Sequence, residues 1–323
     1  MSVPRIAAFA REANGAKAPV RAIQGQATRL SRTVHGLDYD AVNDEIIAPV
    51  YEAGAVLVYA GAANGAAPPL RLIQGDKTML LGPQTASVDP VHNEILVGDA
   101  SSGSILVYDR LANGNVAPKR IIRGPRTGLR EITGIAADTK RNLILVVNMG
   151  ATHETHGVFI FNRMDNGDVA PKAIIGGAEA GISHARQIVV DSERGKIYVA
   201  VQGTNFRGVR PYLEVQPRPD TTWADINDDA GRDVSKPSWS DDSRGFIGVW
   251  DINDHGNVPP RAVIKGDLTK MNGCGGVAIN AKEGLIIGVG GNMYTTYSVP
   301  QLFTDAYWDG LMKPAAKNAP AKP

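Results

Sequence analysis

A turn-rich segment recurs five times along the chain and limits the folds that are open to it. The second copy reads GAANGAAPPLRLIQGDKT from Gly61, and the third reads RLANGNVAPKRIIRGPRT from Arg110. The marker glycines of the five copies are Gly15, Gly65, Gly114, Gly167 and Gly256, with spacings of 50, 49, 53 and 89 residues. The marker prolines Pro19, Pro69, Pro118, Pro171 and Pro260 have the same four spacings. The last interval is therefore one repeat plus an insertion of about 40 residues.

Each repeat contains four short runs with strand-like composition. In the second repeat they cover residues 56–59, 70–73, 85–89 and 94–97, and Asn64-Gly65 separates the first two. An Asn-Gly dipeptide between two such runs is typical of a hairpin, because both residues tolerate positive φ. Four short antiparallel strands per unit of about 50 residues predict an all-β fold, a β-propeller. A recurring aromatic position is interpreted as packing between neighbouring sheets; it holds Phe9, Tyr59, Tyr108, Phe161 and Trp250.

The strand runs predict five blades of four antiparallel strands. The third and fourth runs pair up at 36–50, 85–98, 133–148, 186–201 and 275–291, and the first and second at 5–24, 55–74, 105–123, 158–176 and 246–265. The chain starts in the middle of a blade, so we expect the N-terminal pair to complete the blade begun at 275–291 and to close the ring without edge strands. Six blades are the alternative, with the insertion or a partial repeat at 294–299 supplying the sixth. The propeller is predicted over residues 1–298, followed by a partly disordered extension over 299–323, in which Phe303 and Trp308 would anchor on the body.

This motif pattern resembles the NHL and YVTN-type propellers of bacteria over residues 5 to about 298. The resemblance implies the fold and says little about function, because propellers host many activities. The catalytic domain of peptidylglycine amidating lyase and the virginiamycin B lyase family are similar propellers with a metal at the axis. That similarity implies only where a site would lie.

Composition excludes several classes of protein. Lys and Arg number 34 and Asp and Glu 33, so a net charge of +1 gives no global field that would recruit nucleic acid. The single cysteine, Cys274, cannot form an intramolecular disulfide. No apolar run is long enough to span a membrane. The chain begins without a basic and apolar leader, so we expect a cytoplasmic protein or an exported one whose signal has been removed.

Four of the six histidines map to the face of a propeller where ligands usually bind. The loops that lead into the innermost strands lie on that face, whereas the Asn-Gly turns lie on the other and are interpreted as architecture. The four histidines are His35, His153, His156 and His184. Histidine is the commonest metal ligand, and a catalytic metal site needs about three protein ligands, so they are candidate ligands for a divalent transition metal. Alternatively, they are ordinary loop residues.

Further polar residues lie where the innermost strands begin; they are Gln84, Glu131, Thr133 and Arg186, and Cys274 is there too. Glu131 is the candidate general base, and Arg186 the candidate clamp for a substrate carboxylate or phosphate. A structural ion pair between Arg186 and Glu131 is the competing interpretation.

The insertion at residues 203–243 is expected to project over the same face, as a lid or as a partner-docking surface. It contains Phe206, Tyr212, Trp223 and Trp239. Alternating carboxylate and amide oxygens make one stretch of it a candidate calcium site; they belong to Asp225, Asn227, Asp229 and Asp233. The stretch departs from the EF-hand pattern, since its glycine is at the seventh position and Lys236 replaces the final glutamate, so a solvated acidic loop is the alternative.

Two hypotheses for function follow. The first is a metal-dependent hydrolase or lyase that acts on a small molecule at the mouth of the central channel. The second is a non-catalytic interaction propeller that binds a protein or glycan partner through the insertion, with Trp223 and Trp239 as anchors.

Overall fold

The computed structural model describes residues 4–32, 34–150, 156–182, 184–202, 245–265, 269, 274–290 and 293–312. These residues form a five-bladed β-propeller with almost no helix, so the predicted fold class and blade number are confirmed. None of the helices in the described ranges is long and apolar enough to cross a membrane.

The strands follow one another in chain order within each sheet. The chain begins with a hairpin of β1 (Arg5–Ala8) and β2 (Arg21–Gln24). Blade 1 contains β3 (Asp38–Asp40), β4 (Glu45–Val50), β5 (Ala55–Ala60) and β6 (Arg71–Gln74). Blade 2 contains β7 (Pro83–Asp89), β8 (Glu94–Asp99), β9 (Ser104–Asp109) and β10 (Arg120–Ile122). Blade 3 contains β11 (Glu131–Asp138), β12 (Leu143–Met149), β13 (Gly157–Asn162) and β14 (Ala173–Gly176).

Blade 4 contains β15 (Ala185–Asp191), β16 (Lys196–Val201), β17 (Phe246–Asp251) and β18 (Ala262–Ile264). Blade 5 contains β19 (Gly276–Asn280), β20 (Leu285–Gly290) and β21 (Met293–Ser298). The first strands of consecutive blades contact one another from β3 through β7, β11 and β15 to β19, so these strands surround the axis. A short 3-10 turn at Pro300–Phe303 and the helix α1 (Asp305–Met312) follow the last blade.

The ring closes differently from the expected pairing. The strand beside β20 is β21, and β1 pairs only with β2. Gly290 lies opposite Met293, so β21 needs only a two-residue connection, whereas pairing β20 with the N-terminus would close a loop of almost the whole chain. The segment proposed for a sixth blade is thus part of blade 5.

The N-terminal hairpin nevertheless lies between the last blade and the first. The ring of Phe9 is 5.4 Å from that of Tyr294 on β21, and Arg11 Nη2 is 2.7 Å from Glu283 Oε2 in the β19–β20 turn. On its other side, the hairpin forms a parallel bridge from Ile23 to Gly65 of blade 1.

The Asn-Gly turns join neighbouring blades, as their interpretation as architecture requires. The side-chain oxygen of Asn64 accepts a hydrogen bond from the Ala22 amide at 3.0 Å, and that of Asn113 accepts one from the Leu72 amide at 3.0 Å. Each marker glycine from Gly65 onward pairs with the last strand of the preceding blade, through the bridges 23–65, 73–114, 122–167 and 175–256. The repeated turn is therefore the contact that sets one blade against the next.

The aromatic position packs in the core, as predicted, in the four blades where Tyr59, Tyr108, Phe161 and Trp250 are fully buried. Phe9 on the N-terminal hairpin is partly exposed. The prediction that Phe303 and Trp308 anchor the extension is confirmed, since both are buried beside Tyr198 of blade 4. The tail from residue 313 lies outside the described residues.

Candidate functional site

The innermost strands of blades 2, 3 and 4 each contain a β-bulge near the start of the strand. The extra residue is Gln84 in β7, Thr133 in β11 and Arg186 in β15, since the strand register skips each of them. A bulge leaves its extra residue out of the ladder and re-aims the side chain, and bulges are common beside active sites. Three equivalent side chains are thereby turned out of their sheets at one end of the axis.

These bulges surround a cavity of about 240 Å³, which we call the channel mouth. The residues that line it are His35, Gln84, Thr133, Arg186, Gln202 and Gly275. They come from all five blades, because His35 precedes β3 and Gly275 precedes β19. The cavity therefore lies on the propeller axis, at the face predicted to bind ligands.

Hydrogen bonds between blades 3 and 4 and within blade 4 fix the lining of the channel mouth. The Thr133 hydroxyl donates to the Ala185 carbonyl at 2.7 Å, and Arg186 Nε donates to Gln202 Oε1 at 3.0 Å. Among the described residues, Arg186 forms no ion pair with a carboxylate. Its guanidinium is held in place while most of its five N–H donors remain for another partner.

His35 is the titratable group of the channel mouth with a perturbed pKa. Partial desolvation lowers its pKa from the usual 6.5, the positive charge of Arg186 lowers it further, and Glu52 opposes the change. Its ring also meets the edge of Tyr51, with 6.3 Å between ring centres. The imidazole is therefore neutral at physiological pH and can accept a proton or a metal ion.

The two predicted catalytic residues are placed differently. Arg186 lines the channel mouth, whereas Glu131 is exposed at the first position of β11 and is not among the lining residues. The side-chain partner of Arg186 is Gln202, and the ion pair with Glu131, which was the alternative to a substrate clamp, is not formed between these two described residues. The role of Glu131 as a general base stays a prediction.

Of the four predicted histidines the structure describes three, His35, His156 and His184, and these three do not form a group placed to hold one metal ion. His156 and His184 lie together with ring centres 6.4 Å apart, while His35 lines the channel mouth with Arg186. His156 is buried, and its Nε2 lies 3.0 Å from the Gly150 carbonyl oxygen. His153 lies outside the described residues.

Two histidines alone would be an incomplete metal site. Two imidazoles on one tetrahedral zinc, at Zn–N distances of about 2.0–2.1 Å, would have ring centres about 5 Å apart, somewhat closer than His156 and His184. The described ranges contain no group of three or more His, Cys, Asp and Glu side chains placed to hold a metal. Metal binding by these histidines stays a prediction, with the remaining ligands to come from residues such as His153.

The other predicted sites fall on residues that the structure does not describe. They are the insertion at 203–243 and the candidate calcium ligands Asp225, Asn227, Asp229 and Asp233 within it. Cys274 is fully buried, and burial raises the pKa of its thiol to about 11, so the thiol is protonated near neutral pH.

Gln202 and Gly275 line the channel mouth but were not among the candidates from sequence. The repeat contains a signal for one of them. Gln84, Thr133, Arg186 and Gly275 are separated by 49, 53 and 89 residues, as are the marker glycines from Gly65 onward. Gln202 has no such signal, because it directly precedes the insertion that interrupts the repeat.

Comparison with known proteins adds no family to this geometry. No protein-family model matches the chain. A search of curated proteins finds no significant match either.

Proposed function

We propose that the channel mouth binds a small anionic molecule and that the protein acts on it as a hydrolase or lyase. In this proposal Arg186 holds the anionic group and His35 moves a proton. The observation that carries it is the presence of both residues in one cavity of about 240 Å³, in which the other described lining residues are uncharged.

Arg186 is suited to anion recognition by its chemistry and its surroundings. A guanidinium binds a carboxylate or phosphate through two parallel hydrogen bonds. Gln202 fixes the Nε side of this group, and the described residues that line the cavity include no carboxylate that would compete for the rest. A carboxylate or phosphate on the ligand would neutralise a charge that the described residues leave without an ion pair.

His35 is suited to proton transfer because its imidazole is neutral in the free protein. The adjacent Arg186 disfavours the imidazolium form, so His35 is ready to accept a proton from a bound molecule. Binding an anion at Arg186 would weaken that effect and make His35 more basic.

The size of the cavity favours a small molecule over a polymer. Pockets for drug-sized ligands are commonly about 300–1,000 Å³, and the channel mouth is below that range. Gln84, Thr133 and Gln202 supply amide and hydroxyl groups for the neutral parts of such a molecule.

A divalent transition metal is a separate part of the proposal. His156 and His184 would supply two ligands, and neutral imidazoles suit zinc, copper, iron or nickel. Such an ion would polarise a carbonyl or activate water. Elemental analysis of chelator-free protein and of a His153→Ala/His156→Ala variant tests this part: a stoichiometric metal lost in the variant supports it, and a metal-free parent protein contradicts it.

The test of the channel mouth is calorimetric titration with a panel of mono- and dicarboxylates and phosphate monoesters. Arg186→Gln should weaken binding of any ligand found by about tenfold or more, since a charge-assisted hydrogen bond contributes about 1.5–3 kcal/mol. Arg126→Gln is the matched control, because Arg126 is exposed on the loop before β11 and does not line the cavity. Equal binding by the parent protein and Arg186→Gln, or no binding of any compound, would contradict the proposal and favour the interaction propeller.

His35→Gln separates binding from chemistry. For a ligand that is turned over, this variant should keep most of the affinity and lose the turnover, because the amide cannot accept a proton near pH 7. Unchanged turnover would remove His35 from the proposed reaction.

A further inference from the structure

A second cavity lies between blades 2 and 3, apart from the channel mouth. Its volume is about 380 Å³, and we call it the blade 2–3 groove. The residues that line it are Ser102, Gly103, Arg123, Gly124, Pro125, Gly128, Leu129 and Arg130. It shares no residue with the channel mouth.

The groove carries concentrated positive charge. Among the described residues that line it, the charged ones are Arg123 and Arg130, and both are exposed. In the part of the chain that the structure describes, neither guanidinium forms a side-chain hydrogen bond or an ion pair; only their backbone amides are engaged, with Gly167 and Asn148. Two guanidinium groups thus share one concave surface, and neither forms an ion pair with a described residue; the carboxylate of Asp168 beside Gly124 accepts a hydrogen bond from the Arg126 amide.

The repeat provides an internal comparison for this arrangement. Gly114 and Gly65 are 49 residues apart, so the residues of the preceding repeat that correspond to Arg123 and Arg130 are Gln74 and Leu81. By the same spacing, the lining residue Ser102 corresponds to Ala53. Within blade 1 the side chain of Gln74, the counterpart of Arg123, donates a hydrogen bond to the carbonyl of Ala53 at 2.9 Å.

The arginine pair is therefore not a requirement of the propeller architecture. The blade 1–2 contact is built with an amide and a leucine at the same two positions, and it keeps the same Asn-Gly contact between blades. The charge between blades 2 and 3 is an addition that the fold does not need, which points to a ligand.

We propose that the blade 2–3 groove is an oxyanion site that takes a phosphate or sulfate group, free or as a monoester. Tetrahedral oxyanions offer several acceptor oxygens to two guanidinium groups at once, and arginine is the side chain that best matches their geometry. The groove is large enough for the anion and part of an attached group. This proposal is independent of the function proposed for the channel mouth.

The experiment is calorimetric titration of the full chain with inorganic phosphate, inorganic sulfate and glycerol 3-phosphate at low ionic strength. Arg123→Gln and Arg130→Gln should each weaken binding by about tenfold, which is the effect expected for losing one charge-assisted contact. Added salt should weaken binding in the parent protein, because exposed charges are screened. Tighter binding of glycerol 3-phosphate than of inorganic phosphate would show that the groove takes a phosphate monoester and also contacts the group attached to the phosphate.

Arg126→Gln is the control, since Arg126 lies in the same loop between the two arginines, is exposed and does not line the groove. It should bind the three probes as the parent protein does. An equal loss in Arg126→Gln would show attraction to net charge only, and would overturn the proposal.

Arg186→Gln locates the binding. If it abolishes phosphate binding while Arg123→Gln and Arg130→Gln do not, the anion binds in the channel mouth, the groove proposal fails and the proposed function stands. If no probe binds at millimolar concentration, the groove proposal fails as well. Arg123, Arg130 and Arg186 are exposed or line open cavities, so their substitution should not destabilise the fold. We therefore expect the variants to unfold at the same temperature as the parent protein.

Discussion

Glu94 ties blade 2 to blade 3 through a buried ionic contact, and its removal has a calculable cost. The carboxylate accepts hydrogen bonds from Arg120 of its own blade at 2.8 and 2.7 Å, and from Arg163 of blade 3 at 3.1 Å. Lys119 Nζ lies 3.3 Å away. Burial alone would raise the pKa of this carboxyl, but the three cations outweigh it and lower the pKa from 4.5 to about 2.

The pKa gives the expected magnitude. One pKa unit corresponds to about 1.4 kcal/mol, so a pKa near 2 instead of 4.5 contributes about 3 kcal/mol to the free energy of unfolding. Because the pKa is lowered in the folded protein, this contribution is complete above pH 4.5 and is lost as the pH falls through about 2. Glu94→Gln resembles the protonated acid, so it should cost about 3 kcal/mol at pH 7, in the range for removing one partner of a buried ion pair.

The assay is unfolding of the parent protein and Glu94→Gln by urea and heat, followed by circular dichroism, at pH 7 and at steps down to pH 2. At pH 7 the variant should melt about 4 to 5 °C lower. The difference should shrink as the pH falls below 4.5. A loss below about 1 kcal/mol, or a difference that does not change with pH, would refute the reasoning, since the charge of Glu94 would then not be what stabilises this contact.

The repeat supplies a control for the same position. Counting forward by the repeat spacings of 49, 53 and 89 residues, the counterparts of Glu94, Arg120 and Arg163 between blades 3 and 4 are Leu143, Ala173 and Ile252. Leu143 and Ile252 belong to one hydrophobic cluster, and the partly buried Ala173 packs against it. The triple variant Glu94→Leu/Arg120→Ala/Arg163→Ile should therefore recover most of the lost stability and lose its dependence on acid, because an apolar replacement of a whole buried ionic group is often neutral.

Three further results are expected. Asn113→Ala removes the acceptor of the Leu72 amide between blades 1 and 2 and should cost about 1 kcal/mol in urea unfolding, with no change at the channel mouth. Cys274 should react with iodoacetamide far more slowly in the folded protein than in urea, because raising its pKa from 9.0 to about 11 leaves about a hundredfold less thiolate; equal rates would contradict its burial. Affinity for an anion at the channel mouth should rise as the pH falls from 7 through the lowered pKa of His35, since a protonated His35 adds a second positive charge; the same pH dependence in His35→Gln would assign the effect to another group.

Much of the fold could be predicted from the sequence because the repeat records local geometry. Each Asn-Gly turn and each strand run is specified by residues close together in the chain, and the spacing of Gly65, Gly114 and Gly167 carries that specification from blade to blade. The same spacing places Gln84, Thr133 and Arg186 at equivalent positions. The repeat therefore predicted the five blades and the face on which the channel mouth lies. It also predicted four of the six lining residues, because these are polar or histidine side chains where the innermost strands begin.

Interruptions of the repeat limited the prediction. The prediction of the strand that pairs with β20 was wrong. Periodicity does not say whether a neighbouring or a distant segment pairs with the free edge of a blade, and β21 is by far the nearer segment in the chain. Gln202 was missed because it lies beside the insertion.

The sequence by itself determined the four-stranded repeat, the number of blades and the position of each strand within its repeat, since these depend on interactions within about 50 residues. Only the tertiary structure decided which side chains meet. It placed His35 beside Arg186, 151 positions later in the numbering, and it placed the ring of His156 next to that of His184. The physical reason is that a site on the axis is formed by residues from every blade, so its composition depends on how all five blades pack around the channel and on where each bulge turns its side chain.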